Sequence, residues 1–288
     1  MRLVWWRWYA RPIVDGAARG TGMTPHGIRL SLALLSALLG FGQVLGCARP
    51  PAAPPGAAPS ASQEPASSSD PFGLGEITPQ ERARIVQQAQ LSARAMYMLK
   101  SVQLSLAGHE LEKITDGLVK TDLMILSVCA GMEAPDVSIP LKEQERVLLL
   151  YAFVTGVPQG GIVALLREHG EEIMEILQGE EDLDSLPDPL WKLIEGHLGM
   201  DREALEAWPD EVEKVVSAGL DCPKCRAHHD FAKLYHAFAK GNTYLGVKEM
   251  GLDFLLSFRC PQCGEEFLWD PSTRGTVPGS SATFTVGH

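Results

Sequence analysis

The sequence has no excess of basic residues and no recognisable catalytic motif. It carries 25 Lys and Arg against 36 Asp and Glu, which gives its 288 residues a formal net charge of −11. Because a nucleic-acid-binding protein needs a basic surface, this balance argues against a general nucleic-acid binder. A P-loop, a GxSxG nucleophile motif and a dinucleotide-binding fingerprint are also missing. Motifs therefore identify no reaction and no small-molecule substrate, and we expect a binding protein rather than an enzyme.

Cysteine is scarce as well, and this scarcity limits the class of fold. Six cysteines in a chain of this length are too few for a disulfide scaffold. Apolar residues make up 45% of the chain, which is enough to bury a core and excludes disorder throughout. The length fits one large domain or two small ones.

The chain has an apolar run near its N-terminus, but the run is short for a membrane span. It covers the 17 residues from Leu30 to Gly46, whereas a spanning helix needs about 20. Five arginines and a single acid, Asp15, precede it. Basic residues followed by a short apolar run and small residues are typical of a secretory signal. We therefore predict that residues 1–46 are a signal peptide, with an uncleaved anchor as the alternative and Met23 as a candidate for the true start.

The apolar run ends in a short motif, Val44-Leu45-Gly46-Cys47. This motif resembles the lipobox of bacterial lipoproteins, in which a signal peptidase cuts before the cysteine and the cysteine is then acylated. The resemblance implies that Cys47 is a lipidation site and that the protein is tethered to a membrane of the cell envelope. Because Ala48 rather than aspartate follows the cysteine, we expect the outer rather than the inner membrane in a Gram-negative host.

A linker is predicted between the lipid site and the folded part, over residues 47–78. Of residues 48–78, 22 of 31 are Pro, Ala, Ser or Gly, and no apolar periodicity is visible. Such a composition favours a semi-extended spacer of up to about 3 Å per residue.

Regular structure is predicted to begin at Thr78. Thr78 as N-cap, Pro79 at the first helical position and Glu81 at the third form a capping box. Apolar residues then recur at helical spacing, so residues 79–219 are predicted to form a multi-helix domain. The predicted helices cover roughly residues 79–108, 110–130, 140–155, 162–168, 171–177, 189–197, 202–208 and 211–218.

Four of the six cysteines form two CxxC pairs, Cys222 with Cys225 and Cys260 with Cys263. Each CxxC turn places two thiolates on one side of a tight loop, and two such loops complete a tetrahedron around a metal. The second pair, Cys260-Pro-Gln-Cys263-Gly264, resembles the knuckle of zinc ribbons and rubredoxins. The resemblance implies a structural Zn²⁺ held by all four cysteines. Iron, which would imply electron transfer, and disulfide bonds are the alternatives.

The segment around these pairs is predicted to be a small zinc-ribbon-like module over residues 220–271. Its second knuckle lies between two predicted strands of a hairpin, residues 254–258 and 265–269. Between the knuckles, Phe231, Leu234, Tyr235 and Phe238 fall at helical spacing and predict an inserted helix that ends near Gly241. Residues 272–288 are predicted to be a disordered tail. The predicted fold is thus mainly α, with a C-terminal β-hairpin module.

Other polar residues are interpreted as non-functional. His228, His229 and His236 are predicted to be partly exposed on the polar side of the inserted helix, and Cys129 is predicted to be a buried, inert thiol. Residues 168–213 contain 16 acids and two bases, which we interpret as a solvated acidic surface.

These observations favour a membrane-tethered bacterial lipoprotein that acts as a binding or assembly module with a structural zinc site. The expected partner is a protein. The alternative is a redox or hydrolytic metalloprotein of the cell envelope, which would use the four cysteines or an unrecognised site among the helices.

Overall fold

The computed structural model describes residues 77–133, 138–236, 243–250 and 253–279. The predicted signal peptide, the lipid site at Cys47 and nearly all of the predicted linker lie outside these residues. The described chain begins with helices and ends with an antiparallel sheet of four strands, which agrees with the predicted order of a mainly helical part followed by a β module.

Helices form the N-terminal part of the described chain, and their positions follow the predicted pattern. A short 3₁₀ turn, Leu183–Ser185, interrupts the series of α-helices. The helices are α1 Pro79–Leu106, α2 Leu111–Cys129, α3 Leu141–Thr155, α4 Gln159–Glu168, α5 Gly170–Gln178, α6 Asp188–Leu198, α7 Arg202–Glu206 and α8 Trp208–Ala218.

The start of α1 confirms the predicted capping box. The Thr78 hydroxyl accepts a hydrogen bond from the Glu81 backbone N–H at 3.2 Å, and the Glu81 carboxylate accepts one from the Thr78 N–H at 2.9 Å. This reciprocal pair satisfies backbone donors that have no partner inside the helix. The end of α3 is also as predicted, since Gly156 is its C-cap, with φ +76°.

One predicted helix boundary is wrong. The sequence pattern puts Trp208 at the end of the seventh helix, but Trp208 begins α8 instead. Pro209 gives the physical reason, because a proline ring is compatible with the first turn of a helix and not with its last. The preceding helix α7 has its own cap, in which the Asp201 carboxylate accepts from the Ala204 N–H at 2.9 Å.

The C-terminal sheet contains the predicted hairpin and two further strands. Its strands are β3 Tyr244–Met250, β4 Asp253–Arg259, β5 Glu266–Asp270 and β6 Gly275–Pro278, antiparallel in the order β3-β4-β5-β6. In the hairpin, Phe258 pairs with Phe267 and Leu256 with Trp269. A smaller antiparallel pair precedes the sheet, formed by β1 Leu220–Asp221 and β2 His228–His229. The inserted helix is confirmed as α9 Phe231–His236, while Phe238 and Gly241 lie outside the described residues.

The predicted disordered tail starts too early. The Asp270 carboxylate accepts hydrogen bonds from the Ser272 N–H at 2.8 Å and from the Thr273 hydroxyl at 3.0 Å. These bonds turn the chain back, so that β6 pairs with β5. Residues 272–278 therefore form a turn and a strand of the sheet, and the prediction of disorder is wrong for them. Residues 280–288 lie outside the described part.

One apolar core extends from the helices into the sheet. Buried residues of α1, α2, α6 and α8 belong to the same cluster as Phe231 of α9 and the inward side chains of β4 and β5. The Phe231 ring meets the rings of Phe258 and Trp269 edge-on, with centroids 5.7 and 5.3 Å away. The predicted boundary at residue 220 therefore separates two sequence segments that pack into a common core.

None of the helices in the described residues has by itself both the length and the hydropathy of a membrane span, and α3 and α4 reach them only as a pair bent by 101°.

Candidate metal centre

The two CxxC pairs lie in equivalent positions of two turns. Cys222 and Cys225 are in the connection between β1 and β2, and Cys260 and Cys263 are in the connection between β4 and β5. Both connections join antiparallel strands, so each turn presents its cysteines at the end of a strand pair. The β1–β2 pair follows α8 directly, which places the first turn between the helical part and the sheet.

The backbone of the two turns is the same, as expected for paired knuckles. In the first turn the Arg226 N–H donates to the Cys222 carbonyl at 2.8 Å, and in the second the Gly264 N–H donates to the Cys260 carbonyl at 2.9 Å. Both donors are in the left-handed region, with φ +59° at Arg226 and +73° at Gly264. The first turn thus reaches the knuckle conformation with arginine at the position where the second has glycine.

The four sulfur atoms lie together. Cys222 Sγ is 3.6 Å from Cys263 Sγ, and Cys225 Sγ is 3.6 Å from Cys260 Sγ, so each of these contacts joins one knuckle to the other. All four sulfurs are within 4.8 Å of one another. All four cysteines are free thiols; Cys222 and Cys260 are buried, whereas Cys225 and Cys263 are exposed. The structure therefore brings together the four residues that the sequence predicts as a cluster.

The size of this cluster fits a metal with four thiolate ligands. A Zn–S bond is about 2.3 Å long, and the edges of a regular tetrahedron built from such bonds are about 3.8 Å. The observed separations of 3.6 Å to at most 4.8 Å span this value. The donor set, four sulfurs and no oxygen, is the set that zinc and iron prefer.

The thiols influence one another's ionisation. Burial raises the pKa of Cys222, but hydrogen bonds from the backbone N–H groups of Cys225 and Lys224 and contacts with neighbouring thiols bring it down to about 7. At Cys263 the Glu265 N–H lowers the pKa, while desolvation and the other three thiols raise it, to about 12. One thiolate forms readily and suppresses the next. A divalent cation removes this conflict by offsetting the accumulated negative charge.

Of the three histidines after the first knuckle, His236 lies on the inserted helix as predicted, whereas His228 and His229 do not. His228 and His229 form strand β2 rather than part of a helix, because β1 pairs with β2. His229 is buried, its Nε2 lies 3.3 Å from Cys260 Sγ, and burial lowers its pKa. The expectation of partial exposure on a helix is therefore wrong for His229. His228 is exposed and its Nδ1 lies 2.9 Å from the Asp221 carboxylate, while His236 is exposed at the end of α9.

The left-handed residues of the two knuckles provide a matched test of the turn conformation. An L-residue in this region costs about 1–2 kcal/mol, partly offset by the greater freedom of glycine in the unfolded chain. We expect Gly264→Ala to lower the free energy of unfolding by about 1 kcal/mol, because open space surrounds its Cβ position and only the backbone is affected. Arg226→Gly should raise the free energy of unfolding by up to about 1 kcal/mol. Denaturant unfolding measures both, and a destabilised Arg226→Gly variant would show that the arginine side chain itself stabilises the turn.

A second polar cluster lies among the helices, and sequence analysis missed it. The Tyr97 hydroxyl of α1 donates to Asp122 Oδ2 of α2 at 2.8 Å, and His197 Nδ1 of α6 lies 3.6 Å from the same oxygen. The Tyr151 ring of α3 stacks on the His197 ring, with centroids 4.2 Å apart. Burial and the Asp122 charge raise the pKa of Tyr97 and of Tyr151, so both hydroxyls remain protonated donors.

This second cluster is interior. Asp122 and His197 are each 1% exposed. The sequence signal is an acid on the apolar face of α2, one turn after Leu118 and one turn before Ile125, both of which are buried. Groups that solvent does not reach are positioned to join helices rather than to meet a substrate. Cys129, at the end of α2, is buried as predicted, and burial raises its pKa to about 12, which keeps the thiol protonated.

Comparison with protein-family models, with curated proteins and with solved structures finds no match for this chain.

Proposed function

We propose that the four cysteines hold one structural Zn²⁺ and that the protein acts as a tethered binding or assembly module. The observation that carries the metal assignment is the set of four sulfurs from two like-folded knuckles, all within 4.8 Å. Four thiolates close a tetrahedral site and leave no position for a substrate, so such a site is structural. Zinc bound there would join the first knuckle, which follows α8, to the β4–β5 hairpin.

The binding role is supported by where the polar groups of the described residues lie. The cysteine cluster would be closed by its metal, and the Asp122 cluster is interior. Neither offers an open arrangement of nucleophile, base and oxyanion donors. The proposed tether rests on the sequence alone: lipidation at Cys47 and the spacer up to residue 78 would hold the folded part some tens of Å from a membrane.

The metal assignment is tested by the metal content and visible absorbance of the purified full-length chain. We expect one equivalent of zinc, no visible band, and the same result for Cys129→Ser, which removes a cysteine outside the cluster. Iron with a visible band would contradict the zinc assignment and support the electron-transfer alternative. The exposed Cys225 and Cys263 would then lie on the side of the site that a redox partner can approach. If the purified chain contains no metal and none of these four cysteines reacts as a thiol, the cysteines form disulfide bonds. That result would contradict the proposal.

The tether and the partner need separate experiments in cells. Incorporation of labelled palmitate should depend on Cys47, so Cys47→Ala should lose the label and leave the membrane fraction. Crosslinking at the envelope should recover the same protein with the native chain and with Cys129→Ser, but not with Cys222→Ser. Unchanged fractionation of Cys47→Ala would contradict the tether, and the absence of any crosslinked protein would contradict the binding role.

A further inference from the structure

A histidine side chain lies against one sulfur of the cysteine cluster. His229 Nε2 is 3.3 Å from Cys260 Sγ. Both residues are nearly inaccessible to solvent, with 9% of His229 and 1% of Cys260 exposed. The two residues flank different knuckles, since His229 follows the first CxxC pair and Cys260 begins the second. The contact therefore links the two halves of the cluster through a group other than a cysteine.

The fold fixes the position of His229 from both sides. On one side, β2 pairs with β1 so that His229 is opposite Leu220. Gly219 precedes β1 at φ +69°, and a Cβ there would lie 2.7 Å from the His229 carbonyl oxygen, so this close approach requires glycine. On the other side, the Asp230 carboxylate caps α9 by accepting from the Lys233 N–H at 2.9 Å. The imidazole is held between a paired strand and a capped helix and has little freedom to leave the sulfur.

The chemistry of the sulfur decides the role of the ring nitrogen. A metal-bound thiolate carries no proton and can only accept a hydrogen bond. For this contact to be a hydrogen bond when a metal is bound, His229 Nε2 must carry the hydrogen and donate it to the sulfur. The sulfurs of Cys222 and Cys263 also accept hydrogen bonds, but the donors described above for them are backbone N–H groups. The bond from His229 comes from a side chain, and substitution can remove it.

We propose that His229 is a positioning residue of the metal centre, whose Nε2–H donates to the Cys260 thiolate and fixes the orientation of that ligand. The proposal rests on the proposed four-thiolate metal site. A hydrogen bond to a thiolate withdraws electron density from the sulfur and makes it less nucleophilic. Together with its burial, this bond protects the Cys260 sulfur from attack. Release of the metal and alkylation then begin at the exposed Cys225 and Cys263.

Substitutions at His229 separate the hydrogen bond from the space that the ring fills. In the full-length chain, His229→Gln places an amide N–H near the position of Nε2, whereas His229→Phe keeps an aromatic ring without a donor. The shorter amide of His229→Asn does not reach the sulfur and serves if the Phe variant fails to fold. The matched control is His228→Phe, at the neighbouring exposed histidine. Zinc affinity is measured by competition with a chromophoric chelator, and the ligand field is measured after loading with Co²⁺.

We expect the Phe and Asn variants to bind zinc about 10–100-fold more weakly, the range typical for loss of a group that orients a metal ligand. Their sulfur-to-cobalt charge-transfer band should move to longer wavelength, because the Cys260 sulfur loses its hydrogen bond. The Gln variant and His228→Phe should remain close to the native chain in both measurements. Alkylation followed by mass spectrometry should find that Cys260 reacts after the exposed Cys225 and Cys263 in the native chain, and earlier in the Phe variant than in the native chain.

The contrary outcomes are distinct. A Phe variant with native affinity and an unmoved band would show that His229 does not position Cys260, and the four-cysteine site would stand. A second contrary outcome concerns the intensity of the charge-transfer band. If the Co²⁺-loaded native chain shows less intensity than four thiolate ligands give, and the Phe variant shows the full intensity, then His229 is itself a ligand and the positioning role is overturned. Absence of metal in the native chain itself would contradict the proposed function and this inference together.

Discussion

Replacement of Cys222 by serine is expected to abolish zinc binding and to unfold most of the chain from residue 220 onwards. A structural Zn²⁺ contributes on the order of 10 kcal/mol to the folding of a small module, which is comparable with the whole net stability of a typical domain. Cys222 is fully buried and belongs to the apolar core. The variant therefore loses a ligand, and through it the metal that joins β1–β2 to the β4–β5 hairpin.

Hydrogen exchange with mass spectrometry measures this effect by segment. We expect fast exchange of β1, β2, β4 and β5 amides in Cys222→Ser and in the chelator-treated native chain, while α2 amides remain protected. Cys129→Ser is the matched control, because it also replaces a buried cysteine but should retain the metal and the response to chelator. Equal protection of the sheet with and without chelator would contradict a structural role for the metal.

The elements that can be predicted from sequence are those with local signals. The start of α1 is predictable because three neighbouring residues, Thr78, Pro79 and Glu81, form a complete helix cap. The β4–β5 hairpin is predictable because its strands are dense in apolar and aromatic residues on either side of the second CxxC pair. The clustering of the four cysteines is predictable because two CxxC pairs in one chain are typical of a shared metal site.

The elements that sequence analysis missed depend on partners distant in sequence. Strand β6 contains Gly275 and Pro278, which indicate a turn when read locally, and it becomes a strand because β5 offers it an edge. Strand β3 contains Gly246 and an irregular register next to it, and it follows the predicted end of the inserted helix, in a segment for which the sequence pattern predicts no element. The burial of His229 follows from the pairing of β1 with β2, which two-residue strands do not show in their sequence.

The Asp122 cluster is the clearest case of a feature decided by tertiary contacts. Its members lie on four helices, and the Tyr97 partner of Asp122 is 25 residues away along the chain. Sequence periodicity identifies the apolar face of α2, but it does not identify the residues that contact a carboxylate on that face. A buried polar residue is expected to have hydrogen-bond partners. The packing of α1 against α2 supplies one, the Tyr97 hydroxyl, and the packing of α6 brings His197 Nδ1 to 3.6 Å from the carboxylate.

Asp122→Ala is expected to lower the free energy of unfolding by about 3–5 kcal/mol. The substitution leaves the Tyr97 hydroxyl without its acceptor and His197 without a nearby carboxylate, and buried groups that lose their partners cost this much. Asp116→Ala is the matched control, since Asp116 is an exposed residue of the same helix, and we expect a change within about 0.5 kcal/mol. Urea unfolding followed by circular dichroism measures both variants.

A double-mutant cycle then identifies the source of the loss. Tyr97→Phe alone should cost about 1–2 kcal/mol, and it should cost much less when Asp122 is already alanine, because the bond is then absent in both chains. The partners of Asp122 described above lie on α1 and α6, and none lies on a knuckle. The cost of Asp122→Ala should therefore be the same with zinc bound and after chelation, whereas the cost of Cys222→Ser should disappear after chelation. An Asp122→Ala chain as stable as Asp116→Ala would contradict the structural role of the cluster and would leave a buried carboxylate that serves some purpose other than joining the helices.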